Sequence, residues 1–416
     1  MSEISDMIQR LCPDGVEYRK LGEVGSFYAG LSGKCKDDFK DGNAMFINYL
    51  NVYSNPSLNL NVQEKVRIYN GEKQNIIQKG DILFTGSSET PDECGMSSVV
   101  MEQPCENAYL NSFCFGLRLF NPERFDMIYL KHLLRSTEIR KLISGTASGV
   151  TRFNVSKKRF SMVSIPVPPI EIQRKIGEVL DNFSELTAEL TAELEARKKQ
   201  YEYYRDNLLN FSQIAPNSVK WMKMSEVGTF TRGRRFVRAD IVEQGYPCIH
   251  YGDMYTYYGL SATETKTYIP FEVAKKLRFA QQNDVVIVGA GENDEDIGIG
   301  VAWLGDSSPA VHDACYIFHH NQNPKFISHY LRTSFYHKQI KTSVSSGKIC
   351  SISAEGIGKA LIPIPPLSEQ ERIVSILDRF ESLTTDLTSG LPAEIKARQQ
   401  QYEYYRDQLL TFKRAN

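Results

Sequence analysis

At 416 residues, with 41% hydrophobic and 24% charged side chains, the chain is long enough for two or three domains with cores of their own and has an ordinary globular composition. A formal net charge of −1 excludes a surface coated in positive charge, but a local basic stripe balanced by acidic helices stays compatible with nucleic acid. No stretch reaches the roughly 18 to 20 apolar residues of a membrane span, and Met1 to Asp6 lack a basic-then-apolar leader, so the cytoplasm is the expected location.

The first variable region runs from Val16 to about Ile165. Lys34, Lys36 and Lys40 cluster in an early loop. Ile82–Phe84, Ser97–Met101 and Phe113–Leu117 are rich in β-branched and aromatic residues and predict strands, and Met127–Leu142 predicts a helix. After the loop Ser144–Gly149 come Arg152, Lys157, Lys158 and Arg159. Guanidinium forks suit phosphates and guanine edges, and lysines suit phosphates, so Lys34, Lys36, Arg152, Lys157 and Lys158 are DNA-contact candidates.

Ile165-Pro-Val-Pro-Pro169 opens the next segment, and Glu178 to Phe211 contains no proline or glycine. Val179, Phe183, Leu186, Leu190, Leu194, the aliphatic stem of Arg197, Tyr201, Tyr204, Leu208 and Phe211 recur at steps of three and four, which predicts a long helix with a coiled-coil-like seam. An additional four-residue step falls within the tandem Thr187-Ala-Glu-Leu-Thr-Ala-Glu-Leu194.

The second variable region, about 217 to 362, repeats the mixture. Val285–Val288 and Cys315–Phe318 predict strands, and Pro324–Ile340 a helix. Arg232, Arg234, Arg235 and Arg238 crowd one loop, Lys348 follows Ser345-Ser-Gly347, and these five join the DNA-contact candidates. A second helix follows, with seam residues Ile376, Phe380, Leu383, Leu387, Leu391, Ile395, Tyr402, Tyr405, Leu409 and Phe412. Ser368-Glu-Gln-Glu371 has the capping-box pattern. Gly390 and Pro392 predict a kink or a restart, because each is costly in a helix interior.

The chain is duplicated. Ala196–Phe211 returns as Ala397–Phe412 with twelve of sixteen positions identical, and Ile165–Pro169 returns as Ile362–Pro366. More faintly, Val16–Gly30 aligns with Val219–Gly233, and Gly80–Phe84 with Asn283–Ile287. Two divergent regions on two near-identical helices predict a mixed α/β chain with an internal repeat. The seams close most simply by antiparallel pairing of the helices. Tyr203 and Tyr404 fall off the seam beside Arg205 and Arg406, a composition typical of interface centres. Tyr201, Tyr203, Tyr204, Arg205, Tyr402, Tyr404, Tyr405 and Arg406 are therefore candidates for docking a partner.

Enzyme motifs fail one by one. Gly289-Ala-Gly291 lacks the third glycine of a dinucleotide loop, and Gly33-Lys34 and Gly347-Lys348 lack the rest of a phosphate loop. No Asn/Asp-Pro-Pro-aromatic tetrad is present. The eight cysteines show no CxxC pair, so no metal site is expected. His312, His319 and His320 have no duplicated equivalents and are assigned to structure or surface.

The Ile-Pro-x-Pro-Pro entries, Gln173 and Gln370 after them, the Gln-Tyr-Glu-Tyr-Tyr-Arg-Asp blocks and the Leu-Gly-Glu-Val start at 21 together resemble the specificity subunit of type I restriction–modification systems. The resemblance implies two target-recognition domains (1–165 and 216–362) separated by two long antiparallel conserved helices (166–215 and 363–416) in a pseudo-two-fold repeat. It implies a non-catalytic subunit that reads a bipartite site on double-stranded DNA and docks two adenine-N6 methyltransferase subunits. S-adenosylmethionine, ATP and Mg would reside in those and in restriction/translocase subunits, with no cofactor in this chain and no membrane partner. The Thr-Ala-Glu-Leu tandem resembles the family's spacer, whose repeat number alters the unread gap. The rival expectation is a scaffold with two protein-binding domains and no DNA role.

Overall fold

The computed structural model describes residues 2–214, 219–345, 347, 349–385 and 390–415; the seam residue Leu387 and the DNA-contact candidate Lys348 lie outside them. The chain divides into two compact units, Met1–Glu189 with Ile395–Asn416, and Leu190–Glu394.

In unit 1 a four-stranded antiparallel sheet runs in the order Gly25–Ala29, Cys114–Leu119, Ile82–Thr85, Ser97–Val99. Ile82 to Phe84 are buried on both faces, as their uninterrupted apolar run requires, and Thr85 is buried beside them with its hydroxyl accepting from Met96 N at 2.9 Å. Lys65–Val66, Ala44–Ile47 and Ala108–Leu110 form a second sheet, the last two strands parallel. Phe84, Phe115 and Phe160 pack with centroids 4.9–5.4 Å apart at the centre of the core.

Unit 2 repeats the plan, ordering Gly228–Arg232, Cys315–His320, Val285–Val288, Gly300–Trp303 and Ser261–Ala262. A smaller sheet joins Thr267–Ile269, Tyr246–Ile249 and Ala310–Val311. Trp303, Phe318, Tyr330 and Tyr336 fill its core. The aligned turns Gly80-Asp81 and Asn283-Asp284 explain each other. Gly80 (φ 86°) and Asn283 (φ 72°) both adopt the left-handed backbone that glycine and asparagine tolerate best. Asp81 then accepts from Gln78 N at 2.9 Å and Asp284 from Gln281 N at 2.6 Å. Each carboxylate is met from the same register position on the neighbouring strand, by Arg118 in unit 1 and by His319 in unit 2.

The single helices expected over Met127–Leu142 and Pro324–Ile340 are each two, Met127–Leu133 with Thr137–Ser144, and Pro324–Tyr330 with Ser334–Ile340. Hydroxyls make the break. Ser136 Oγ donates to Leu133 O at 2.7 Å, and Thr333 Oγ1 donates to Tyr330 O at 2.7 Å while accepting from Tyr336 N at 3.4 Å.

The first conserved helix is continuous from Ile170 to Leu209, 40 residues or about 60 Å. The second is two helices, Leu367–Thr385 and Leu391–Leu409. The restart expected at Gly390 and Pro392 is present: Gly390 O accepts from Ala393 N and Glu394 N, and Pro392 sits in the first turn, where its missing N–H costs nothing. The expected Ser368 cap is not used. The helix begins at Leu367, with Pro366 O accepting from Glu369 N and Gln370 N, so Ser368 lies inside the first turn.

In unit 1 the start of the first helix (Ile172, Ile176, Leu180) enters the same core as the end of the second (Leu409, Leu410, Phe412), an antiparallel arrangement. In unit 2, Leu209 and Phe211 share a core with Ile373, Val374 and Leu377 in the same sense. Seam aromatics meet accordingly: Phe183 stacks on Tyr405 at 5.4 Å, and Phe380 on Tyr204 at 5.2 Å. Gln173 and Gln370, both fully buried, fasten each helix entry. Gln173 donates to Pro168 O and accepts from Asp126 N, and Gln370 donates to Pro365 O and accepts from Asn323 N.

Candidate nucleic-acid interface and partner surface

In unit 2 the loop after strand Gly228–Arg232 must double back against the strand that ends at Val311. A Cβ on Gly233 would stand 2.2 Å from His312 O, so only glycine fits; Gly30, its aligned partner, is equally close, at 2.0 Å, to Asn111 O. Phe236 is buried and packs edge-on to His312 at 5.0 Å, leaving Arg235 and Arg238 exposed on either side of it. A cleft of about 1350 Å³ opens there, lined by both arginines, His250, Tyr251, Glu292 and His312. The exposed Ile349, next to Lys348, also faces it. The arginine loop and the segment around Ile349, distant in sequence, thus meet at one cleft.

The other arginines are partly committed to the backbone. Arg232 Nε donates to Asp313 O at 2.8 Å and Arg234 Nη1 to Lys276 O at 2.7 Å. In unit 1, Lys34 is nearly enclosed, paired with Glu72 at 2.6 Å and bonded to Arg67 O, so it braces the loop from which Lys36 projects. Arg152 lies over the exposed Phe113 ring at 4.6 Å and donates to Ser87 Oγ at 3.1 Å. Lys157 and Lys158 are exposed nearby, on the short helix Lys157–Phe160. Arg152, Lys157 and Lys158 therefore share a loop cluster that Lys34 does not join.

The repeated tyrosine blocks divide by exposure. Tyr402 OH lies 2.9 Å from His132 Nδ1, whose Nε2 is 3.0 Å from Asp181; Tyr201 OH lies 3.0 Å from His329 Nδ1, with Asp378 at 3.5 Å from Nε2. Burial pulls both histidines below their ordinary value. Burial alone would raise Asp181 and Asp378, yet bonds from the histidines and from Lys131 and Lys325 bring both below the usual carboxylate value. Arg406 and Arg205 lie over Tyr402 and Tyr201 and pair with Asp407 and Asp206. Those aspartates accept from the N-terminal backbone of Thr137 and Ser334. Tyr204 and Tyr405 are occupied by the seam stacks. Tyr203 and Tyr404 remain, 65% and 62% exposed, each edge-on to its neighbouring tyrosine.

Sequence reasoning does not single out His132, His329, Asp181 and Asp378. A signal for them exists: each pair keeps the spacing of the proline blocks. His250 in the cleft lacks even that, since Ile47 stands at its aligned position, whereas Glu292 recurs as Glu89. His329, Asp378 and Glu381 place ligand atoms within 4.8 Å of one another, but Lys325 already pairs with Asp378 at 2.8 Å and the half-buried Arg332 acts on Glu381. A divalent ion added there would meet two cations, so the residues do not fit a metal centre.

The family model for the type I restriction modification DNA specificity domain matches residues 13–197 and again 216–397. The chain is 35% identical over 271 residues to the type I restriction enzyme EcoR124I/EcoR124II specificity subunit of Escherichia coli, covering 61% of this chain and 64% of that one, so it spans just under two thirds of that relative. It is 32% identical over 304 residues to a putative type I restriction enzyme specificity subunit of Haemophilus influenzae, covering 70% of this chain and 73% of that one. Among solved structures, a chain of a type I restriction–modification system described for its complex assembly and conformational transition aligns with TM-score 0.63 at 16% identity, covering 95% and 97%. The S subunit from M. genitalium aligns with TM-score 0.51 at 15% identity, covering 95% and 96%. At such identities these two likenesses concern the fold. Among the described residues no helix is long and apolar enough to cross a membrane.

Proposed function

Since this chain belongs to the type I restriction modification DNA specificity domain family, we propose that it is the non-catalytic, DNA-reading subunit of a type I restriction–modification complex. Each unit reads one half of an interrupted site on double-stranded DNA. The exposed faces of the conserved helices dock two adenine-N6 methyltransferase subunits, which carry S-adenosylmethionine, and ATP- and Mg-dependent restriction subunits join them in the cytoplasm. The supporting observation is a contrast within the repeat. The His–Tyr and Gln–Pro hydrogen bonds recur in both units, whereas the loops carrying exposed arginine, lysine and aromatic side chains differ between units. A shared scaffold with divergent reading loops is what two different half-sites require.

The test is DNA binding by the complex on a bipartite site. Arg235→Ala with Arg238→Ala should weaken binding at least tenfold and flatten its salt dependence, since each lost phosphate contact removes about one unit of the log–log slope. A phosphate role predicts a loss of similar size on DNA in which the second half-site is scrambled, and a base-edge role a loss confined to the intact half-site. A chain that binds protein partners yet retards no DNA, alone or with them, would return the scaffold reading.

A further inference from the structure

The cleft of unit 2 carries more chemistry than phosphate attraction needs. Beside Arg235 and Arg238 its lining includes the exposed Glu292. A carboxylate repels the phosphodiester backbone, but it accepts well from the amino group of cytosine or adenine. One side of the cleft is built from Phe236, His250, Tyr251 and His312, whose ring centroids lie 4.6–6.0 Å from their neighbours.

The two histidines differ. His312 Nδ1 accepts from Ala314 N at 3.1 Å, so its hydrogen sits on Nε2 and is donated to Phe236 O at 3.1 Å. Both nitrogens are used, and they hold the loop that bears the arginines. His250 Nδ1 likewise accepts, from Gly252 N at 3.2 Å, which leaves an Nε2–H donor. No protein acceptor takes it among the described residues. The Tyr251 hydroxyl is in the same condition.

We propose that His250, Tyr251 and Glu292 are specificity-determining residues of the second unit and meet base edges, while Arg235 and Arg238 engage the backbone or guanine. His250 Nε2–H donates to a purine N7 or guanine O6, and Glu292 accepts from a cytosine or adenine amino group. The assignment rests on the DNA-reading function above and adds which side chains set base identity in one half-site.

The experiment uses the whole complex, with this chain carrying His250→Ala, Tyr251→Phe or Glu292→Gln, and sequencing of methylated sites across a host genome. The first half-site and the gap should stay as in the wild type. Base preference at one position of the second half-site should relax about tenfold or more in His250→Ala. Glu292→Gln, which presents both an acceptor and a donor, should admit a new base. Variants that methylate the wild-type second half-site with undiminished preference overturn the proposal. If His250→Ala abolishes methylation altogether, His250→Gln decides: recovery with an altered second half-site supports it, and recovery of the wild-type site or no recovery counts against it. Failure of the underlying reading is separately visible, because the wild-type complex would then methylate no bipartite site.

Discussion

The hydroxyl of Tyr201 lies 3.0 Å from Nδ1 of His329, a fully buried imidazole on the first helix after the unit 2 sheet. Tyr402 and His132 make the same contact in unit 1 at 2.9 Å. A tyrosine from one copy of the repeat block thus pairs with a histidine from the region preceding the other helix, tying three chain segments together in each unit. Removing one hydroxyl strands a buried nitrogen, which costs about 1–3 kcal/mol. Tyr201→Phe and Tyr402→Phe should each lower the denaturant midpoint accordingly, and Tyr201→Phe should cost little more once His329 is replaced by Phe. Unchanged midpoints in both single variants would show these contacts to be energetically idle.

These contacts also show how far the sequence can be read. The helices, the seam and the restart at Gly390 follow from apolar spacing and from the cost of glycine and proline, because those signals are local. That Tyr201 and Tyr204 lie on the seam while Tyr203 lies off it is legible for the same reason. The groups facing them are not: His329 and Asp378 stand far apart in sequence, and only the fold makes them neighbours. The same applies to Lys34, which reads as a free charge until Glu72 is seen beside it. Apolar spacing alone hides the split of Met127–Leu142, although the hydroxyl pair Ser136-Thr137 is a cap signal there.

Acid sensitivity follows from His320, which burial pulls down to about 4. Its Nδ1 accepts from Gln322 N at 3.1 Å, and its buried Nε2 has no partner among the described residues. The folded-state value lies below the unfolded one, so the unfolded chain takes the proton first as pH falls. The stability from neutral His320 is present above about pH 6.5 and is lost progressively down to about 4. Between pH 7 and 5 the loss is about 1–2 kcal/mol. His320→Leu, the residue type that unit 1 carries near the matching strand end, at Leu119, should lessen the fall in melting temperature over that range. An identical pH dependence in both proteins would rule His320 out.

The tandem Thr187–Leu194 lies inside the uninterrupted helix Ile170–Leu209. Deleting Thr191–Leu194 keeps the chain helical, shortens it by about 6 Å and turns the downstream half of the helix by about 40°. One base pair is about 3.4 Å and about 35° of duplex. The deletion should therefore shorten the unread gap of the methylated site and leave the bases of both half-sites as they were. Methylome sequencing that finds altered half-site bases with the original gap would refute this.

Tyr203 and Tyr404 carry the last prediction. Both sit one residue before a seam tyrosine that is stacked on phenylalanine, and both are about two-thirds exposed, so neither contributes much to the core. A large, rigid, amphipathic ring held outward by a packed neighbour is the residue type that anchors protein interfaces, where truncation often costs about 2 kcal/mol or more. Tyr203→Ala and Tyr404→Ala should leave thermal unfolding of the isolated chain within about 0.5 kcal/mol of wild type. Each should weaken binding of one methyltransferase subunit by about thirtyfold, and the double variant should fail to recruit two. Calorimetric titration of purified methyltransferase subunit into the chain reads both stoichiometry and affinity. Full two-to-one binding by the double variant, at wild-type affinity, would move the docking surface elsewhere on the chain.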